Sequence, residues 1–226
     1  RDYIVDTGLY LNEANKAGKK IMFEAQLGAL RDIDFGIYPY TSSSSTIAAY
    51  APIGAGVPNL KLDKTIGIMK AYSSCVGEGP FTAEYFGEKA EKLRGAGGEY
   101  GAATGRPRRV GPFDVVASKY GIRCQGADEI ALTKLDILSG HDEIEVCVAY
   151  ELNGKTLTEF PFTDVLDECK PVFKKVKGWN CDISKCRKKE DLPKEALNYI
   201  RFLEESCECK IGYVSVGAER EAYIKM

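Results

Sequence analysis

The segment Ile130-Ala131-Leu132-Thr133-Lys134-Leu135-Asp136 places two charged side chains directly after a short apolar run. The apolar run predicts a buried strand, and open α/β sheets bind ligands where such strands end. An ionised carboxylate there can accept hydrogen bonds from both the ring N–H and the exocyclic amine of guanine, a donor pair that adenine lacks. Lys134 is expected on the same face of an extended segment as Asp136, with its methylene stem along the base. The alternative is a charged strand end on the surface, because four residues of common types form a weak pattern.

The composition of the 226-residue chain is that of a globular protein and selects no activity. The chain has 44% hydrophobic and 28% charged residues, which suits one large domain or two small ones. Its formal net charge of -2 argues against a nucleic-acid-binding protein. No apolar stretch is long enough for a membrane span, and the opening Arg1-Asp2-Tyr3-Ile4 resembles no signal peptide. The missing initiator methionine is what a chain starting within a longer protein would have, and N-terminal trimming would look the same.

The cysteines predict free thiols. All eight are scattered through strand-like and helix-like segments, a pattern typical of reduced thiols rather than of a disulfide scaffold. Zinc is the alternative for Cys181 with Cys186 and for Cys207 with Cys209. Neither pair has the usual C-x2-C spacing, and His141 is the only histidine. We therefore expect no metal site in this chain.

Helix-like and strand-like segments alternate along the chain. Helices are predicted over about 3–17, 84–93, 113–121 and 192–207. Strands are predicted at 21–23, 64–72, 129–132, 144–150, 155–160 and 211–216. Asn153-Gly154 joins the fourth and fifth of these strands into a hairpin. The order predicts an α/β domain with an appended antiparallel hairpin subdomain.

Two loops are candidate binding segments. Residues 32–58 lack periodicity and contain Thr41 followed by four serines, but their aromatic and aliphatic residues make a disordered linker a poor interpretation. We expect a hydroxyl-rich binding loop. Residues 101–111 hold three arginines in four positions, framed by glycines, which suits an anion site for carboxylate or phosphate. The alternative there is a basic surface loop.

Several motifs occur along the chain in the order found in one enzyme family. They are 32–40, Lys70-Ala71-Tyr72, 76–81, 104–109, 131–136, 147–150, Gly178-Trp179, 191–193 and 215–220. From about Met22 to the end, the chain thereby resembles the C-terminal half of the adenylosuccinate synthetases. The resemblance implies an α/β fold that is part of a P-loop-type nucleotide-binding sheet, with helices on both faces. It makes residues 1–226 the C-terminal portion of the domain and places the hairpin-containing subdomain at about 142–190.

The resemblance also implies an activity in purine nucleotide biosynthesis. The family joins IMP to L-aspartate, and uses GTP and Mg²⁺ in a first step that phosphorylates the 6-oxygen of IMP before aspartate displaces the phosphate. It implies a cytoplasmic homodimer in which one subunit lends an arginine to the other's IMP site. Neither a membrane nor a nucleic acid is expected as a partner.

The resemblance assigns binding roles motif by motif. The GTP-binding residues would be Lys134, Leu135, Asp136, Ser215, Val216, Gly217 and Arg108. The IMP-binding residues would be Gln26, Thr41, Ser42 and Arg106. The aspartate-binding residues would be Val76, Ala102, Ala103, Thr104, Gly105, Arg106 and Arg108. Four positions depart from the family pattern: Gln26 is shifted by one residue or supplied by a bulge, Cys75 replaces an arginine, Ala103 replaces a threonine, and Ala218 replaces a proline.

Phosphoryl transfer needs a phosphate-cradling glycine loop, an Mg²⁺ ligand and a proton donor and acceptor. In the family these belong to the N-terminal half, so we expect no catalytic residue and no metal ligand in this chain. His141 is interpreted as a surface histidine. The chain alone is predicted to be inactive. A guanine-nucleotide-binding module without catalysis and a degenerate structural paralogue remain open as alternatives.

Overall fold

A parallel sheet built around Ile130 and Leu132 forms the centre of the molecule. The computed structural model describes residues 3–226, so Arg1 and Asp2, with which the sequence opens, lie outside it. The helices are α1 Thr7–Lys16, α2 Ala51–Gly54, α3 Gly87–Gly97, α4 Val115–Gln125, α5 Thr163–Leu166 and α6 Lys194–Cys207. The strands are β1 Ile66–Lys70, β2 Ser73–Cys75, β3 Arg109–Gly111, β4 Phe113–Asp114, β5 Glu129–Thr133, β6 Glu143–Leu152, β7 Lys155–Leu157, β8 Lys170–Lys177, β9 Ile211–Ser215 and β10 Tyr223–Lys225. Short 3-10 helices cover Ala29–Arg31, Ala48–Tyr50, Leu135–Leu138 and Lys189–Asp191.

The central sheet has the order β1-β5-β9-β10. Strands β1 and β9 both run parallel to β5, whereas β10 is antiparallel to β9. In this register Lys70 lies opposite Thr133, and Leu132 lies opposite Val214. The carboxyl ends of β1, β5 and β9 therefore meet at one edge of the sheet, where open α/β sheets place their ligands.

A second sheet surrounds the long strand β6. Its partners are β4, which is parallel, and β7 and β8, which are antiparallel. Asn153 and Gly154 both have positive φ, 52° and 77°, which is the conformation that a two-residue type I′ hairpin turn requires. The predicted hairpin is confirmed. Sequence periodicity missed β8, because its lysine-rich sequence is largely exposed and carries little apolar alternation. The predicted limits of a separate subdomain, about 142–190, stay a prediction.

Local hydrogen bonds determine where helices α1 and α4 begin. Helix α1 starts at Thr7 rather than near residue 3, because the Asp6 carboxylate accepts a hydrogen bond from the Leu9 amide at 2.9 Å. Helix α4 starts two residues after Phe113, since Phe113 and Asp114 first pair with β6. Helix α6 follows Pro193 and buries one face. The buried residues are Ala196, Tyr199, Ile200, Leu203 and Cys207.

The predicted strand at 21–23 is wrong. These residues belong to no strand or helix and pair with no strand among residues 3–226, and Met22 is 89% exposed. An apolar triplet forms a strand only where a neighbour satisfies its backbone hydrogen bonds, and the structure provides none here.

Residues 32–46 are ordered around one buried carboxylate, as a linker would not be. Asp32 is fully buried and accepts hydrogen bonds from the amides of Asp34, Phe35 and Thr46 and from the Ser45 hydroxyl. Burial opposes ionisation of Asp32, but these hydrogen bonds together lower its pKa.

All eight cysteines are free thiols in the structure. Within residues 3–226, no three His, Cys, Asp or Glu side chains lie close enough together to hold a metal ion. In the same part of the chain, no helix has the length and apolar character needed to cross a membrane.

Candidate functional site

The chain turns sharply at the end of β5. Lys134 has a φ of 60°, in the left-handed region, and the Leu135–Leu138 3-10 helix begins directly after it. The expectation that Lys134 and Asp136 share one face of an extended segment is therefore wrong. Leu135 is fully buried and anchors the turn in the core. The turn holds Lys134 and Asp136 at the carboxyl edge of the central sheet, as predicted for the strand end.

Asp136 has an unused acceptor. Its Oδ1 atom is buried and has no hydrogen-bond partner within residues 3–226. Burial raises the pKa of Asp136, and the nearby Lys134 charge partly opposes that effect. Buried polar atoms nearly always have a partner, so an orphaned carboxylate oxygen at a strand end suits a ligand that brings N–H donors.

The segment after β9 lies beside this turn. Because β9 is parallel to β5 and next to it, Ser215 and Gly217 leave the sheet at the same edge as Lys134. The Ser215 hydroxyl donates to the Gly217 carbonyl at 2.9 Å, and buried Val216 donates its amide to the Ala222 carbonyl. The structure thus brings the two predicted guanine segments together.

A buried glutamate, Glu99, links this turn to the arginine loop. Lys134 donates its Nζ to the Gly97 carbonyl at 2.6 Å and to Glu99 Oε1 at 3.1 Å. Lys70 at the end of β1 donates to both Glu99 oxygens, at 2.8 and 2.9 Å, and the Tyr72 hydroxyl donates to Oε1. Burial opposes ionisation of Glu99, but Lys70 and Tyr72 lower its pKa to about 2. The sequence analysis missed Glu99, whose only local signal is its place between α3 and the arginine loop.

The Arg108 guanidinium has one nitrogen bonded to Glu99 and another without a partner in the described chain. Its Nη1 donates to Glu99 Oε2 at 3.0 Å, and its backbone carbonyl accepts from Arg94 Nε at 2.8 Å. Its own Nε is buried without a partner in the described chain. Arg108 therefore presents a fixed, unsatisfied donor, which suits an anionic ligand.

Arg109 does not belong to an anion site. Its guanidinium binds Glu84 at 2.5 to 2.9 Å and donates to the carbonyls of Gly77 and Gly79. The three clustered arginines thus divide by partner. Arg109 has a structural role, whereas Arg106 and Arg108 keep guanidinium nitrogens that have no partner in the described chain.

The 101–107 loop closes on itself. Gly101 donates its amide to the Arg106 carbonyl at 2.8 Å, Gly105 donates to the Gly101 carbonyl, and Thr104 Oγ1 accepts from the Arg106 amide at 3.3 Å. Ala102, Ala103 and Arg106 are exposed. The Arg106 side chain makes no hydrogen bond or ion pair within residues 3–226, and its guanidinium faces solvent.

Arg31 joins the serine-rich loop to the segment that contains Val76. It donates to the carbonyls of Tyr40 at 2.5 Å, Glu78 at 3.0 Å and Val76 at 3.2 Å. Its Nη2 also lies 2.7 Å from Cys75 Sγ, at the position where the family has an arginine. This clamp brings the predicted IMP segment next to the predicted aspartate segment.

The predicted IMP residues lie in three segments: Gln26, the pair Thr41 and Ser42, and Arg106 in the 101–107 loop. Ser42, which follows Thr41, donates its amide to the Arg31 carbonyl at 2.8 Å, and its hydroxyl lies 3.0 Å from the Ser44 carbonyl. Gln26 is exposed and makes no hydrogen bond in the described part of the chain. The next residue, Leu27, has a φ of 74°, so the backbone is irregular where the sequence departs from the family turn.

Gly178 and Trp179 have a packing role. Trp179 Nε1 donates to Ser139 Oγ at 3.1 Å and its carbonyl accepts from the Gly140 amide, which secures the segment after the Lys134 turn. A Cβ at position 178 would lie 2.1 Å from the His141 carbonyl oxygen. His141 itself is partly buried, and burial lowers its pKa.

Comparisons with known proteins point to one family. The family model for adenylosuccinate synthetase matches residues 1–224. Adenylosuccinate synthetase from Prochlorococcus marinus (strain MED4) is 48% identical over 223 residues, covering 98% of this chain and 51% of the relative. The enzyme from Geotalea uraniireducens is 47% identical, covering 100% and 53%. The chain spans about half the length of the curated relatives it matches.

Solved structures also match this chain, one of them an adenylosuccinate synthetase. Fully ligated adenylosuccinate synthetase from Plasmodium falciparum matches with a TM-score of 0.95 at 37% identity, covering 100% of this chain and 55% of that one. A cyanophage S-2L succinoaminodeoxyadenylate synthetase, bound to dGMP and dATP, matches with a TM-score of 0.58 at 16% identity, covering 98% of this chain and 50% of that one. The second match bears on the fold alone.

Proposed function

The chain belongs to the adenylosuccinate synthetase family, and from this premise we propose that it carries guanine, IMP and aspartate loops of a GTP-dependent ligase that joins L-aspartate to IMP. The resemblance seen in the sequence motifs is confirmed. So is the α/β fold as part of a P-loop-type nucleotide-binding sheet. The individual binding residues remain proposals.

The observation that carries the proposal is the orphaned Asp136 oxygen at the carboxyl edge of the central sheet. Guanine supplies two adjacent N–H donors, and adenine presents an acceptor where guanine has its ring N–H. The ionised carboxylate therefore favours GTP over ATP. Lys134 supports one side of the base, and Ser215, Val216 and Gly217 border the other. Leu135 contributes by anchoring the turn.

The remaining loops suit the other two substrates. Arg106 and Arg108 offer guanidinium donors that no protein acceptor uses fully, and a dicarboxylate needs several fixed cations. The closed loop that includes Ala102, Ala103, Thr104 and Gly105 shapes the aspartate pocket, and Val76 borders it. Thr41, Ser42, Arg106 and Gln26 contact IMP.

We propose that the Mg²⁺ ligands, like the other phosphate-handling groups, belong to the part of the relatives that this chain does not span. We assign no step to a metal held by residues 3–226. Homodimer formation and a cytoplasmic location are part of the same proposal, by family membership.

Nucleotide binding tests the proposal directly. GDP should raise the melting temperature of the chain more than ADP does, since a ligand at about 100 times its Kd stabilises by roughly 2.7 kcal/mol. Asp136→Asn should remove this preference, and Asp164→Asn, at an exposed position on α5, is the matched control. Equal shifts with GDP and ADP would overturn the guanine assignment.

Turnover distinguishes the alternatives. The 226-residue chain is expected to bind GDP but to form no adenylosuccinate from IMP, aspartate and GTP. Product formation would refute the prediction that the chain is inactive alone. If neither GDP nor IMP changes the melting temperature, a degenerate paralogue is the better description.

A further inference from the structure

One buried carboxylate, that of Glu99, accepts hydrogen bonds from four residues in three segments of the chain. Glu99 has no solvent exposure. Its two oxygens accept hydrogen bonds from Lys70, Tyr72, Arg108 and Lys134, with the three cations at 2.8 to 3.1 Å. Lys70 ends β1 and Lys134 directly follows the adjacent parallel strand β5, whereas Arg108 follows the glycine loop. Glu99 is therefore the common partner of segments far apart in sequence.

The negative charge of Glu99 determines whether the three cationic side chains stay together. Three cations face one carboxylate, so they would repel one another if that carboxylate were neutral. Long cationic side chains without a counter-ion extend into solvent and sample many rotamers. An ionised Glu99 holds all three close together and leaves an excess of positive charge at the edge of the sheet.

Two of the four partners are proposed ligand contacts. Lys134 supports the guanine base, and Arg108 carries the buried Nε that has no partner in the described chain. The backbone near Glu99 holds the same two residues, because the Gly97 carbonyl accepts from Lys134 Nζ and the Glu99 carbonyl accepts from the Arg108 amide at 2.9 Å. Side chain and backbone of this segment fix both positions.

We propose that Glu99 is a positioning residue that orients Lys134 toward the guanine nucleotide and Arg108 toward the anionic substrate groups. This inference rests on the proposed function of the site. Glu99 acts through the two cations and does not itself contact a ligand.

A double-mutant cycle on GDP affinity tests the proposal. Glu99→Gln and Lys134→Met should each weaken GDP binding by roughly ten-fold, the usual size of a charge-assisted contact. The loss of affinity in the double variant should be clearly smaller than the product of the two single losses, because Glu99 acts in part through Lys134. Effects that multiply in the double variant would overturn the proposal, since a general structural role gives independent losses.

Two control variants show whether the loss of GDP affinity is specific to the charge of Glu99. Glu145→Gln removes another carboxylate that accepts from a tyrosine and a lysine, Tyr85 and Lys89, away from the proposed site. Tyr72→Phe removes the neutral donor from Glu99 and leaves every charge. Both should bind GDP within about two-fold of the wild type. If Glu99→Gln does not fold, Glu99→Asp replaces it in the cycle, because it keeps the charge but withdraws it by one methylene.

Chemical labelling separates this proposal from the function on which it rests. Acylation of lysine amines by an N-hydroxysuccinimide ester, read by mass spectrometry, reports how firmly Lys134 is held without any ligand. Lys134 should react several-fold faster in Glu99→Gln than in the wild type. An unchanged rate overturns the positioning role even if GDP binds. If the wild-type chain does not bind GDP, the guanine assignment fails, and the labelling rate still decides whether Glu99 holds Lys134.

Discussion

Tyr150 donates its hydroxyl proton to Asp114 Oδ2 at 2.6 Å, in the core where helix α4 meets strand β6. Asp114 Oδ1 accepts from the Ala117 amide at 3.1 Å and caps the helix. Burial raises the pKa of Asp114 to about 6, although Tyr150 and Ala117 stabilise the ionised form. The folded protein therefore keeps a proton on Asp114 at pH values where the unfolded chain has released it.

This pair predicts a pH-dependent stability. Protonated Asp114 contributes to the free energy of unfolding. This contribution is fully present below pH 3.8, the ordinary pKa, and is lost as the pH rises through about 6. Asp114→Asn keeps a cap acceptor but cannot ionise. Across this window the wild type should lose on the order of 3 kcal/mol of unfolding free energy relative to the variant. Urea unfolding at successive pH values measures the difference, and parallel pH profiles would contradict it.

Substituting Arg106 should reduce ligand affinity without reducing stability, whereas substituting Arg109 should reduce stability. Arg106→Gln removes an exposed guanidinium, so the free energy of unfolding should stay within about 0.5 kcal/mol while affinity for L-aspartate or succinate falls. Arg109→Gln leaves Glu84 without its cation, and should cost about 2–4 kcal/mol of stability. Denaturant unfolding and calorimetric titration of both variants provide the comparison. A stability loss in Arg106→Gln that matches that of Arg109→Gln would show that both arginines are structural.

These arginines also show where sequence reasoning stops. Arg106, Arg108 and Arg109 are one motif in the sequence, and their different environments depend on Glu84 and Glu99, which lie outside that motif. Counter-ions supplied by tertiary structure leave no periodic signal. The same reason hid Glu99 from the sequence analysis, since its partners meet only when β1 pairs with β5.

Sequence patterns predicted the elements whose structure depends on adjacent residues. The apolar run before Thr133 predicted β5, and Asn153-Gly154 predicted the hairpin, because buried strands and type I′ turns depend on a few adjacent residues. The strand at 21–23 failed because pairing depends on a distant neighbour. Lys134 in the left-handed conformation was equally hidden, because lysine has no preference for positive φ.

Asp32 should be the organiser of the serine-rich loop. Asp32→Asn places an amide group against donors that now meet a carboxylate, so we expect a loss of about 2–3 kcal/mol. The amides of Phe35 and Thr46, which donate to Asp32, should exchange with deuterium faster. Asp34→Asn, at an exposed position, is the control. Unchanged exchange at Thr46 would mean that the loop is held by other contacts.

Two glycines should respond in opposite directions to alanine. Gly178→Ala forces a Cβ to 2.1 Å from the His141 carbonyl oxygen, and backbone on both sides must move to relieve the overlap. We expect a loss of at least about 2 kcal/mol, in the range of other buried steric clashes. Gly95 lies inside α3 with nothing within 4 Å of its added Cβ, so Gly95→Ala should stabilise by roughly 0.5–1 kcal/mol. Chemical unfolding of the two variants measures both signs. Because Trp179 secures the segment after the Lys134 turn, Gly178→Ala should also weaken GDP binding, whereas Gly95→Ala should not.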